Sequence, residues 1–271
     1  METKMEKVKN GKDGNRQLEG ERLVYFHQTA DKEYWKTVWS AYANQEYYEP
    51  FRAGTLNPFE KIFTRHLPKQ ALVLEAGCGT AQYVKALNVR GYRCMGLDYE
   101  LHAMKMANIY AGSLPLVCGD ITALGVAENS FDAVISLGVV EHRRAGPEPF
   151  LTEMCRILKP GGILLISVPY FNPLRRWRAA RGAYQDEVGG MDFYQYAFTR
   201  MEFYRLLEKA GFEIEKYYTY SHQNTLSQEL HWLKKIPESL KKFILRISKY
   251  VPYVNSEIGH MVMVVARKKQ P

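Results

Sequence analysis

Glycines, strand-end acids and one histidine stand out in this 271-residue chain as residues that could do chemistry together. "LVLEAGCGTAQY" (72–83) is an apolar run that breaks at Gly77 and Gly79 and then resumes with helical periodicity. Acids end two later apolar runs, Asp98 in "MGLDYE" and Asp120 in "VCGDITAL", and His142 stands in "VVEHRR". Glycine has no Cβ, so a ligand can approach its backbone closely. An acid at a strand end can accept both hydroxyls of a ribose. The pattern suits a cofactor containing a nucleoside. A pyrophosphate loop would read G-x-G-x-x-G, and the third glycine position is held by Gln82. That argues against a dinucleotide.

The elements that must position these residues follow from periodicity. Strands are expected at 71–77, 92–98, 115–120, 131–138, 163–169, 212–220 and 260–268. Helices are expected between them, one running through "PEPFLTEMCRILKPGG" and one capped by Thr199 and stopped at Gly211. Strands alternating with helices imply an α/β fold: a seven-stranded, mostly parallel sheet with helices on both faces. The last two strands are separated by residues 221–259 rather than by a simple crossover helix, and the last strand is expected to be antiparallel. Ligands bind where the loops leave the strands' C-terminal ends. Insertions at about 170–198 and 221–259 should therefore overhang that edge as a helical cap. Residues 1–17 read as a mobile tail and 18–63 as an N-terminal helical cap segment, with Trp35 and Trp39 on one helical face. The main domain is expected over 64–271.

Glu75-Ala76-Gly77-Cys78-Gly79-Thr80-Ala81 resembles motif I of the class I, Rossmann-like S-adenosylmethionine-dependent methyltransferases, E/D-x-G-x-G-x-G, with Ala81 replacing the last glycine. "FDAVISLGVVEH" and "RILKPGGILLIS" are also similar to this superfamily, closest to its ubiquinone/menaquinone-biosynthesis-like (type 11) branch. The resemblance covers about 70–220 and the last strand. It implies S-adenosylmethionine as cofactor and S-adenosylhomocysteine as product, held by Glu75, Gly77, Gly79, Asp98, Tyr99, Asp120, Ile121 and Gly138. Glu75 would face the cofactor's ammonium, Asp98 its ribose, and Asp120 its adenine amino group, with Ile121 packed on the ring. The implied activity is methyl transfer to an O-, N- or C-nucleophile of a small-molecule or lipid-linked acceptor. His142 is the candidate general base, ahead of His222, Tyr194 and Tyr196.

The rest of the composition constrains partners. Lys plus Arg outnumber Asp plus Glu, 37 to 29, a net charge of +8 that favours anionic partners. The four cysteines form no C-x-x-C pair and lie near no histidine cluster, so neither a metal site nor a disulfide framework is expected. The chain start lacks the apolar core of a signal peptide, and a cytoplasmic protein is expected. "VPYFNP" (168–173) lacks the acid or amide and the second proline of the DNA amino-methylating motif, and nucleic acid is not the expected acceptor. Arg175, Arg176, Arg178 and Arg181 could meet a phosphate or carboxylate on the acceptor. In "LKKFILRISKYV" (240–251), Leu240, Phe243, Ile244, Ile247 and Val251 share one helical face. Either that stripe packs on the domain, or it makes a peripheral contact at the inner membrane face. RNA methylation, or an idle cofactor-binding interaction module, are the alternatives.

Overall fold

The computed structural model describes residues 15–41, 43–185 and 187–270. Strands β1 (Asn15–Glu19) and β2 (Arg22–His27) come first, followed by helices α1 (Lys32–Ser40), α2 (Gln45–Arg52) and α3 (Glu60–His66). The alternating part runs β3 (Leu72–Ala76), α4 (Gln82–Val89), β4 (Arg93–Asp98), α5 (Leu101–Ala111), β5 (Leu116–Cys118), β6 (Phe131–Leu137), α6 (Glu148–Ile157) and β7 (Leu158–Pro169). It continues through α7 (Pro173–Ala179), β8 (Asp192–Ala197), α8 (Arg200–Lys209) and β9 (Phe212–Tyr220). Helices α9 (His222–Glu229), α10 (Glu238–Ser248) and α11 (Pro252–Glu257) then precede β10 (Met261–Lys268).

Seven strands form one sheet in the order β5-β4-β3-β6-β7-β10-β9. The first five are parallel, while β10 runs antiparallel to both neighbours, as expected. Side chains alternate across a strand, and here the alternation sorts them into two cores. Leu74, Val134, Leu164 and Val264 lie in one cluster, with Leu151 of α6 and Phe203 of α8. Their neighbours Val73, Ala133, Leu165 and Val265 lie in the other, with Tyr48, Phe63 and Leu87 of α2, α3 and α4. Both faces are covered, which is why these strands read as continuous apolar runs.

The structure corrects three expectations. The tail expected over 1–17 lies outside the described residues up to 14, and Asn15, Arg16 and Gln17 belong to β1. The segment 18–63 is not helical throughout: Glu19 pairs with Arg22 across a two-residue loop, with Gly20 at φ +59°, closing a β-hairpin. That hairpin pairs with β8, so the cap contains a three-stranded antiparallel sheet beside its helices. Finally, α6 stops at Ile157, and "LKPGG" already belongs to β7, which irregularly joins β6 there. Thr199 does cap α8, its hydroxyl accepting the Glu202 amide at 3.2 Å.

Candidate active site

The glycine loop leaves the C-terminal end of β3 and turns into α4. Gly77 sits at φ +83° and its amide donates to the Leu97 carbonyl at 2.8 Å, fastening the loop to β4. A Cβ at Gly77 would overlap Val139, and one at Gly79 (φ +49°) would come within 2.9 Å of the Trp39 ring. Both positions therefore require glycine, for conformation and for space. Ala81 adopts φ +53° at the head of α4. Gln82, the departure from the dinucleotide pattern, accepts the Tyr47 hydroxyl at 2.7 Å, and the Tyr48 hydroxyl donates to the Thr80 carbonyl at 2.7 Å. Helix α2 thus braces the loop from outside.

Three buried carboxylates surround this loop. Asp98 accepts the Gly79 amide on one oxygen at 2.7 Å and the Glu100 amide on the other at 2.9 Å. Glu75 accepts the Val84 amide at 3.0 Å, and Glu100 caps α5 through the amides of His102 and Ala103. Among the described residues, no Lys or Arg forms an ion pair with any of the three. Burial raises the Glu75 carboxyl to about 8 against the pull of the Val84 amide, with Asp98 adding to the rise. Burial also raises Asp98, only partly offset by the Glu100 and Gly79 amides. Carboxyls raised by burial with no cation beside them favour a positively charged ligand, which would stabilise their ionised forms, and disfavour a pyrophosphate.

The other expected cofactor residues fall around the same strand ends. Tyr99 follows Asp98, and its hydroxyl is 3.4 Å from the Ala30 carbonyl. Asp120 is exposed and folds one oxygen onto the amide and hydroxyl of Thr122, both at 2.8 Å, while Ile121 beside it is buried. Gly138, at φ +70°, donates to the Ser167 carbonyl at 3.0 Å. Glu75 is only 4% exposed, and its carboxylate is turned onto α4 through the Val84 amide.

His142 follows β6 in a short 3-10 turn, Val140–His142. Its Nδ1 lies 2.9 Å from the Tyr194 carbonyl, which can only accept, so Nδ1 carries the proton. That tautomer leaves Nε2, 3.9 Å from Glu141, as the basic nitrogen. The ring stands edge-on to Trp35 (5.1 Å) and Tyr194 (5.0 Å), Trp35 stacks on Trp39 (5.6 Å), and Trp39 covers Gly79. Helix α1 therefore links the histidine to the glycine loop through two indoles. The sequence placed Trp35 and Trp39 on one face without assigning them to the site. Tyr34 was not singled out; it reaches the Tyr194 hydroxyl at 3.1 Å.

The weaker candidates are otherwise engaged or elsewhere. Tyr196 donates to the Arg144 carbonyl at 2.8 Å. His222 heads α9, where burial and Lys249 lower its pKa. The arginine loop divides: Arg175 is fully buried, Arg178 pairs with Glu229 at 2.7 Å, and Arg181 stacks 3.8 Å above Trp177. Arg175 and Arg178 are thus committed to the fold rather than to an acceptor. Arg176 lines a groove of about 550 Å³ with Tyr170, Phe171, Arg200 and Glu257, away from the glycine loop. Asn172 of "VPYFNP" caps α7 and donates to the Gly259 carbonyl at 2.8 Å.

Known proteins resemble this chain over its central part and in its fold. The family model described as "Methyltransferase domain" matches residues 74–166. A demethylmenaquinone methyltransferase of Renibacterium salmoninarum is 36% identical over 107 residues, 38% of this chain and 44% of the relative. A probable tRNA methyltransferase 9B of Mus musculus is 31% identical over 133 residues, 48% of this chain and 29% of the relative. The chain spans about half the length of the first curated relatives it matches. Among solved structures, Burkholderia thailandensis 1,6-didemethyltoxoflavin-N1-methyltransferase with bound S-adenosylhomocysteine has a TM-score of 0.52 at 17% identity, covering 95% of this chain and all of that one. At that identity the likeness concerns the fold. The fold is the Rossmann-like one that such methyltransferases share. Over residues 74–166 the chain is similar to the type 11 methyltransferase domain.

Proposed function

We propose that this chain transfers a methyl group from S-adenosylmethionine to a small-molecule or lipid-linked acceptor. The observation that carries the reading is the set of buried carboxylates, Glu75, Asp98 and Glu100, which among the described residues are satisfied by backbone amides. Such a site fits a ligand bearing a sulfonium and an ammonium. When bound, that cofactor supplies an activated methyl that a nucleophile displaces in line. Asp98 retains a second lone pair on each oxygen for the ribose hydroxyls. Gly77 and Gly79 shape the loop that would hold the ligand, Gly138 leaves room at the end of β6, and Tyr99, Asp120 and Ile121 would flank the adenosine end. The indoles of Trp35 and Trp39 exclude water from the transfer point.

At an O- or N-acceptor, Nε2 of His142 would take the proton that the acceptor gives up on methylation. Replacing His142 by Asn keeps a donor toward the Tyr194 carbonyl and removes the base. Turnover should fall by about 10²- to 10⁴-fold with S-adenosylhomocysteine affinity unchanged. Unchanged turnover would remove His142 from the reaction. The acceptor class is tested by transferring radiolabelled methyl into a host-cell extract and separating lipid, small-molecule, protein and nucleic-acid fractions. Label in lipid or small molecules supports the reading. The tRNA methyltransferase relative and the net charge of +8 favour RNA as second reading, which label in nucleic acid would establish.

A further inference from the structure

Helix α10 has apolar residues on two sides. Ile244 and Leu245 pack with Leu174 and Val254 against a small core of Leu226, Leu233 and Ile258. Leu240, Phe243, Ile247 and Val251, spaced 3, 4 and 4 apart, form an outward stripe in which each residue is 44–50% exposed. Trp232, Tyr250 and Tyr253 extend it at 50, 73 and 57% exposed. The stripe expected either to pack on the domain or to meet a membrane is therefore turned away from the core, apart from Ile244. Large apolar side chains exposed together mark an interaction surface.

Charge selects the occupant. Residues 230–253 contain six Lys and Arg against one acid, Glu238. Lys241 reaches that acid at 3.4 Å, while Lys242, Arg246 and Lys249 form no ion pair among the described residues. Two copies of this face would set six cations against six. An aliphatic and aromatic stripe flanked by cations matches the boundary between lipid headgroups and acyl chains instead. We infer that α10 and its flanks dock on an anionic bilayer surface, burying Phe243 and Ile247 while the lysines meet the headgroups. No helix among the described residues is long and apolar enough to cross a membrane, so the contact is peripheral. This deepens the lipid-linked arm of the proposed function, yet vesicle binding requires no methyl transfer, so the two fail separately.

The test is co-sedimentation of the full chain with vesicles of phosphatidylcholine alone, or of phosphatidylcholine with one-third phosphatidylglycerol. The chain should pellet with the anionic vesicles, bind them about tenfold more weakly at raised salt, and stay in solution with the neutral ones. Phe243→Glu combined with Ile247→Glu changes only exposed positions and should abolish pelleting while leaving S-adenosylhomocysteine affinity intact. Failure to bind the anionic vesicles, or equal binding by the double variant, would overturn the inference. So would a dimer in light scattering that the double variant converts to monomer, because the face would then serve self-association.

Discussion

Two buried acidic centres in this molecule are handled in opposite ways. In the cap, Glu229 is enclosed by Arg16 at 2.6 Å, Arg175 at 3.1 Å, Arg178 at 2.7 Å and the Tyr184 hydroxyl at 2.7 Å. Burial alone would raise its pKa, but the charges of Arg175 and Arg16, with Tyr184, hold it below the ordinary value. At the glycine loop, Glu75, Asp98 and Glu100 receive backbone amides and no side-chain cation among the described residues, and Glu75 and Asp98 are raised. The cap centre is complete within the chain and holds β1, α7 and α9 together. At the loop centre burial disfavours the ionised carboxylates, and we propose that a bound cation is what stabilises them. On the proposed reading, incomplete compensation is what sets a binding site apart from a structural ion cluster.

The largest effect should come from breaking the completed centre. Glu229→Ala leaves three arginines converging without their anion and should destabilise the fold by about 3–5 kcal/mol in denaturant titration. A loss under ~1 kcal/mol would mean the cluster is not what joins these elements. Because the folded pKa of Glu229 is depressed, its contribution is present above the unfolded value and is lost as pH falls through the folded one.

At the other centre, Asp98→Ala should weaken S-adenosylhomocysteine binding by about 100-fold in calorimetry, since two charged hydrogen-bond acceptors disappear. Unchanged affinity would end its assignment to the cofactor. The smallest effect has the opposite sign. Glu75 rises from 4.5 to about 8, so the folded state holds an extra proton across that interval and loses stability as pH climbs through it. Glu75→Gln keeps an acceptor for the Val84 amide and should stabilise the ligand-free protein by about 1–3 kcal/mol near pH 8, with little gain near pH 5. Destabilisation at both would show that the charge is already compensated.

What the sequence revealed depended on how local its signals are. Gly77, Gly79, Asp98 and Asp120 stand at the ends of apolar runs, and both the strands and the parallel order follow from that alternation. The hairpin was missed although its signal was present: Gly20-Glu21 lies between "NRQLE" and "RLVYFH", with apolar residues in the second strand. Its partner β8 is more than 160 residues away, a pairing that no local pattern encodes. The arginine loop shows the same limit. Composition indicated positive charge at 175–181, but only the fold brings Glu229 to Arg175 and Arg178. Of the five residues expected in one stripe on α10, four face outward and Ile244 does not, because which side faces the core depends on Leu226, Leu233 and Ile258.

The position of β10 has a consequence for biosynthesis. The strand Met261–Lys268 lies between β7 and β9, bonded to both, with five consecutive residues from Val262 to Ala266 fully buried. While the ribosome is still short of that segment, β7 and β9 each present an open edge with apolar faces, and they cannot pair directly in their final places. The nascent chain thus emerges with its sheet in two parts and is exposed to aggregation in that interval. A stall or truncation before residue 261 should yield a species that chaperones retain, even though the glycine loop, the strand-end acids and His142 have all been synthesised.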